Sequence, residues 1–104
     1  MTVTLSKGQG KRAVVQLDTE IDHHTAAEIR GAVDKIIRED MPRVICLDFS
    51  DVEFMDSSGI GLIIGRVGVA REVGAEVEVK GLSDMQRRLA RMAGLERLSG
   101  LTIL

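Results

Sequence analysis

Asp56-Ser57-Ser58-Gly59 stands between an apolar, strand-like run ending at Met55 and an apolar, helix-like run starting at Ile60. Read this way, two hydroxyls fall where a strand turns into a helix. Backbone N–H groups there lack intrahelical partners, and the helix dipole is positive. Such a position suits an anion, and a phosphorylated serine is one. Asp56 or Ser57 can also act as an ordinary N-cap, accepting from N–H groups one turn in. A cap needs only one such residue, which leaves Ser58 at the tip with its hydroxyl to spare.

Outward from this junction the chain alternates strands and helices. Val3 and Leu5 alternate with polar residues, and Ala13-Val14-Val15-Gln16-Leu17 is a second apolar run. Gly8-Gln9-Gly10-Lys11 between them predicts a hairpin. Thr25 with Glu28 reads as a capping box opening a helix. Its apolar face is Ala26, Ile29, Val33, Ile36 and Ile37, with Arg30, Asp34, Lys35 and Arg38 in water. Pro42 stops that helix. The uninterrupted Val44-Ile45-Cys46-Leu47 predicts a strand covered on both faces.

A second helix is expected from about Ser58 to Val73, with a buried stripe of Ile60, Ile63, Ile64 and Val67. Gly61, Gly65 and Gly68 form a small-residue face suited to close packing on the sheet or on a partner. Leu62, Arg66 and Val69 lie on another side and form an exposed apolar patch with a cationic centre, or else cover part of the sheet. Val77 and Val79 alternate with Glu76, Glu78 and Lys80, as in an exposed or edge strand. Ser83 with Gln86 is a further capping box, and Met85, Leu89 and Met92 a helical face that Gly94 ends. Leu101-Thr102-Ile103 adds a last short strand. This order is that of a mixed α/β layer without linker or repeat.

Composition narrows the function. The 104 residues suffice for one domain, residues 1–104, with a single core. Two Phe and no Trp or Tyr leave nothing for bases to stack on, and a net charge of −2 is no basic footprint, so direct nucleic-acid binding is not expected. No apolar run nears the roughly 20 residues of a membrane span, so no membrane partner is expected. The one cysteine, Cys46, has no internal disulfide partner and reads as a core residue. Cytoplasmic localisation is the resulting expectation.

Catalytic and cofactor readings fare poorly. Gly59-x-Gly61 resembles a dinucleotide loop, but the third glycine is needed where Ile64 stands, and Asp56 would repel a pyrophosphate. A hydrolase elbow wants Gly-x-Ser-x-Gly, which is absent, and His23 and His24 are the only candidate bases. Those histidines lack the spaced partners of a zinc site. As a phosphoacceptor, Asp56 would need an acidic magnesium cluster, for which Asp18, Glu20 and Asp22 are the only candidates. No catalytic residue, metal ligand or cofactor is assigned, and the chain is read as a non-enzyme.

Asp51 to Leu62 resembles the signature of anti-sigma factor antagonists, bacterial members of the STAS domain family. Glu20 to Glu28 resembles the sporulation type more specifically, and Gly65-Arg66 and Met92-Ala93-Gly94-Leu95 fall in matching positions. One departure is that the chain ends at Leu104, where the family usually adds a short helix. The resemblance implies a four- to five-stranded mixed sheet with helices mainly on one side. It implies a partner switch in which the unphosphorylated protein binds an anti-sigma factor that is itself a serine kinase, freeing a sporulation sigma factor. That kinase would spend ATP to phosphorylate Ser58, with Ser57 the second candidate, and a serine phosphatase would reset it. Partner contacts are then expected from Asp22, His23, Asp56, Ser57, Ser58, Gly59, Leu62, Arg66 and Val69. The alternatives are a STAS regulator of a stress-type sigma circuit, or a small nucleotide-binding domain or hydrolase.

Overall fold

The computed structural model describes residues 1–6 and 11–104. Its elements run in the expected order: β1 (Thr2–Ser6), β2 (Arg12–Gln16), α1 (His23–Glu39), β3 (Val44–Asp48), α2 (Ser57–Glu72), β4 (Glu76–Lys80), α3 (Asp84–Met92), a 3-10 turn at Leu95–Arg97 and β5 (Leu101–Ile103). The five strands form one sheet in the order β1-β2-β3-β4-β5. β1 pairs antiparallel with β2, and every later pair is parallel. The antiparallel pairing of the predicted hairpin is thus present, while its Gly8-Gln9-Gly10 turn lies outside the described residues.

Right-handed crossovers that always step in the same direction along a sheet deliver each helix to the same face. Burial follows from this. Ala13, Val15, Leu17, Ile45, Leu47, Phe49, Val77 and Val79 point to the helices and are buried. Their neighbours on the other face, among them Arg12, Val14, Gln16, Asp48, Glu78 and Lys80, are half-buried. Two expectations are corrected here. β3 has one helix-covered face only; Cys46 is buried on the other because Arg12 of β2 and Glu78 of β4 form an ion pair that crosses over it. The burial pushes the Cys46 thiol up from its ordinary range, against the opposing pull of Arg12. β4 is no edge strand either: it lies between β3 and β5, and its alternation records the single open face.

The helix starts are also specific. α1 begins at His23, before the predicted Thr25 cap. Asp22 is the cap: its carboxylate accepts from His24 N at 2.9 Å and Thr25 N at 3.0 Å, and Thr25 Oγ1 accepts from Asp22 N at 2.9 Å. Thr25 is therefore the third residue of the box, the reciprocating partner of Asp22. α3 keeps its predicted Ser83–Gln86 box, and Gly94, at φ 79°, ends the segment in the left-handed region. Of the predicted face of α3, Leu89 packs against the core and the two methionines do not. Gln86 and Ala90 are buried, with Gln86 Nε2 donating to Val52 O at 3.0 Å, while Met85 and Met92 are exposed. Gln86 is long enough to satisfy a loop carbonyl that no strand reaches, and this pins the helix phase.

The N–H groups of Thr25 and, less strongly, His24 hold the Asp22 carboxyl below the usual carboxylate range. A depressed folded-state pKa adds stability above the unfolded value, and that stability is lost as pH falls through the folded one. Asp22→Asn keeps an acceptor oxygen but not the charge. Urea unfolding should find the variant less stable than the parent above about pH 5, with the gap closing as pH falls through the depressed folded-state value. A gap independent of pH would assign the cap no ionic component.

Candidate functional site at the starts of the first two long helices

In an open sheet with parallel strands, helices begin beyond the carboxyl ends of the strands, so functional groups collect there. Here the collection is tightened by a short bridge. Ile21 and Met55 pair as a parallel bridge, with Ile21 N donating to Phe54 O at 2.9 Å and Asp56 N donating to Ile21 O at 3.2 Å. This bridge is all that remains of the strand-like run expected to end at Met55, since β3 itself ends at Asp48. Both partners are buried, and the residue after each, Asp22 and Asp56, is the N-cap of the helix that follows. The start of α1 is thereby held beside the start of α2, which brings Asp22 and His23 near Asp56.

Asp56 Oδ1 accepts from Ser58 N at 2.7 Å, and Gly59 N donates to Asp56 O at 3.0 Å. Asp56, and not Ser57, is therefore the cap, because its carboxylate lies one residue before the helix. The helix start is already supplied with a negative charge, so a second one added nearby meets repulsion. Ser57 is exposed and Ser58 half-buried, and among the described residues neither hydroxyl has a protein hydrogen-bond partner. Gly59 is buried because Met55 folds under the first turn; a Cβ there would overlap Met55 Cγ and Sδ.

The three sides of α2 differ from the expected ones. Ile60, Ile63, Val67 and Ala70 are buried. Leu62 and Arg66, expected in an exposed patch, are each 4% exposed because they face α1 and line the groove there, and Val69 packs half-buried against the core. Ile64, expected in the core, is 44% exposed. Gly61 and Gly68 are exposed and Gly65 half-buried, and an added Cβ at any of them would meet nothing within 4 Å. The glycines thus face outward and do not serve contact with the sheet.

Asp34 of α1, expected in water, is the counterion of Arg66: Arg66 Nε lies 2.6 Å from Asp34 Oδ1, with side-chain exposures of 5% and 17%. The contact is close without being a directed hydrogen bond, and Arg66 Nη1 is buried with no partner among the described residues. Burial lowers the Arg66 pKa from its ordinary value, Asp34 opposes this, and Arg30 adds to it. The only signal in the sequence was the presence of one acid and one base at inward-facing positions of two neighbouring helices. Between α1 and α2 runs a groove of about 370 Å³ lined by His23, Ala26, Ala27, Arg30, Ser58, Gly61, Leu62, Gly65 and Arg66. Ser58 opens into it; Ser57 does not line it. On the far side of the bridge, Asp18, Glu20, Asp51 and Glu53 line an acidic hollow beside the exposed Phe54. Among the described residues no three His, Cys, Asp or Glu side chains are grouped to hold a metal ion.

A model of the STAS domain matches residues 5–103. The chain is a member of the STAS domain family. It is 35% identical over 85 residues to the anti-sigma F factor antagonist of Paenibacillus polymyxa, covering 82% of this chain and 73% of the relative. It is 31% identical over 90 residues to an anti-sigma-B factor antagonist of Staphylococcus aureus, covering 86% and 82%. The structure of the Bacillus cell fate determinant SpoIIAA in its phosphorylated form superimposes with a TM-score of 0.71 at 26% identity, over 99% of this chain and 91% of that one. The STAS fold expected from the sequence is therefore the fold observed, with five strands. No helix among the described residues is long and apolar enough to cross a membrane.

Gly59→Ala tests the packing of this junction. The added methyl should destabilise the STAS domain by about 1–3 kcal/mol in urea unfolding. Combined with Met55→Ala, it should cost less than the sum of the two single changes, because the truncated side chain vacates the overlap. Strict additivity would show that Met55 is not what Gly59 accommodates.

Proposed function

We propose that this STAS domain is an anti-sigma factor antagonist whose binding to an anti-sigma factor is switched off by phosphorylation of Ser58. The observation that carries the reading is the setting of Ser58. Among the described residues its hydroxyl has no protein partner, it opens into the α1–α2 groove that His23 also lines, and the adjacent cap carboxylate of Asp56 makes the position sensitive to added negative charge. Ser57 is the second candidate, disfavoured because it does not line the groove. The names of the relatives support the antagonist class, and the phosphorylated state of the SpoIIAA structure supports a phosphoprotein.

The contact surface proposed runs from Asp22, His23 and Asp56 through Ser57, Ser58 and Gly59 along the groove. Leu62 and Arg66 enter it as groove wall, while Val69 lies low on the core side and contributes less. The exposed Gly61, Ile64 and Gly68 extend the surface along α2. The partner proposed is an anti-sigma factor that is itself a serine kinase, acting in the cytoplasm, with a serine phosphatase to reverse the modification. The sporulation circuit is favoured over a stress circuit by the Glu20–Glu28 segment, which carries the Asp22 cap.

A phosphoserine adds about −1.5 to −2 charge near neutral pH. Against one partner carboxylate about 5 Å away, at effective dielectrics from water down to roughly 20, the repulsion is on the order of 2–7 kcal/mol before screening. Asp56 is charged in both states and so tunes the site without switching it.

Phosphopeptide mapping after incubation with ATP and a sporulation-type anti-sigma kinase tests the reading. Phosphate should appear on Ser58, persist in Ser57→Ala and vanish in Ser58→Ala. Ser58→Glu should weaken binding to the kinase at least about tenfold, while Ser58→Ala binds. An active kinase that leaves both serines unmodified on the folded chain would sink the switch and return the nucleotide-binding alternative to the test.

A further inference from the structure

The guanidinium of Arg66 is incompletely satisfied. It is 4% exposed, its Nε contacts Asp34 without a directed hydrogen bond, and among the described residues its Nη1 has no partner. A guanidinium carries five N–H donors, and burying a charge whose donors stay unmet is costly. This one lies in the wall of the α1–α2 groove, where the other ionisable side chains are Arg30 and His23 and no carboxylate lines the surface. On a chain of net charge −2 this puts two arginines into one groove. The nearby acids are outside the lining and already engaged: Asp34 contacts Arg66, and Asp22 and Asp56 accept from backbone N–H groups of their helices. The remaining lining is small or apolar, namely Ala26, Ala27, Gly61, Leu62 and Gly65. It leaves room for a ligand and strengthens charge pairing by excluding water.

We propose that the groove between α1 and α2 is an oxyanion site in which Arg66, with Arg30 and His23, holds a carboxylate or phosphate group. Two sources supply that chemistry: an acidic side chain of a bound protein, or a phosphate carried on Ser58 itself. The site exists in the unmodified chain and does not depend on the phosphorylation reading.

The test is NMR on the 15N-labelled protein, following the Arg66 side-chain Nε–H and the amides of Ser58, Gly61 and Gly65. Inorganic phosphate, and separately acetate, is titrated at constant ionic strength. The expected result is a saturable shift confined to the groove. Arg30→Gln, an exposed change that leaves the fold intact, should weaken it about tenfold, the scale of one lost charge-assisted hydrogen bond. Arg66→Gln alone would strand Asp34, so Arg66→Gln is combined with Asp34→Asn, which exchanges the ion pair for a neutral amide pair; binding should vanish while the spectrum stays folded. Shifts that rise linearly without saturation, or that persist in the folded double variant, would overturn the proposal.

A second arm installs phosphoserine at position 58 by genetic encoding, without a kinase. If the phosphate on Ser58 occupies the groove, the Arg66 signal is displaced before any anion is added and added phosphate no longer binds. If the groove awaits an external acid, added phosphate binds as to the unmodified chain. Either outcome supports the site and assigns its source. Failure of a kinase to modify Ser58 would sink the switch and leave these titrations standing.

Discussion

The molecule is organised by one-sided burial. Three parallel pairings and right-handed crossovers that step in one direction put all the helices on one face of the sheet. α1 and α2 then share one apolar surface and must lie side by side. Packed against each other, they trap between them whatever side chains point sideways, and in this chain those are Leu62, Arg66 and Asp34. The groove, its buried ion pair and its cationic lining are by-products of a sheet that had only one face to cover. The open face needs no helices, because long polar side chains lie across it and close over Cys46.

Much of this was legible in the sequence. Element order, the alternating strands, the Ser83–Gln86 box and the stop at Gly94 all follow from local rules that the structure obeys. The helix start at Asp56-Ser57-Ser58-Gly59 was legible because capping residues between two apolar runs are a local pattern too. What failed was rotational phase. α2 is apolar nearly all round, so periodicity could not say which of Ile60, Leu62, Ile63 and Ile64 faces water, and the outward answer is Ile64. Asp34 and Arg66 looked like surface charges because nothing in either helix announces a partner 32 positions away in the chain. Met85 and Met92 misled for the opposite reason: their spacing is helical, but Gln86 has a buried carbonyl to satisfy and takes the inner face.

The site is also electrically divided. On one side of the Ile21–Met55 bridge lies the acidic hollow of Asp18, Glu20, Asp51 and Glu53; on the other, the groove of Arg30, Arg66 and His23. Ser58 sits on the cationic side of that boundary, with the capping aspartates between. Complementary charge across an interface governs orientation and encounter rate more than raw affinity. A surface with two signs this close together admits a partner in one orientation and rejects the reverse.

The bridge itself joins two segments that the whole of α1 and β3 separate, and it consists of a single pair of residues with two hydrogen bonds. Closing so long a loop costs entropy that only the docked core repays. Neither half of the site can therefore assemble from local structure alone. A chain with α2 formed but β3 undocked would display Ser57 and Ser58 without Asp22 or His23 beside them, and with no groove. The surface is a non-local product, present only once the whole sheet has closed, so in this protein the groove and the completion of folding arrive together.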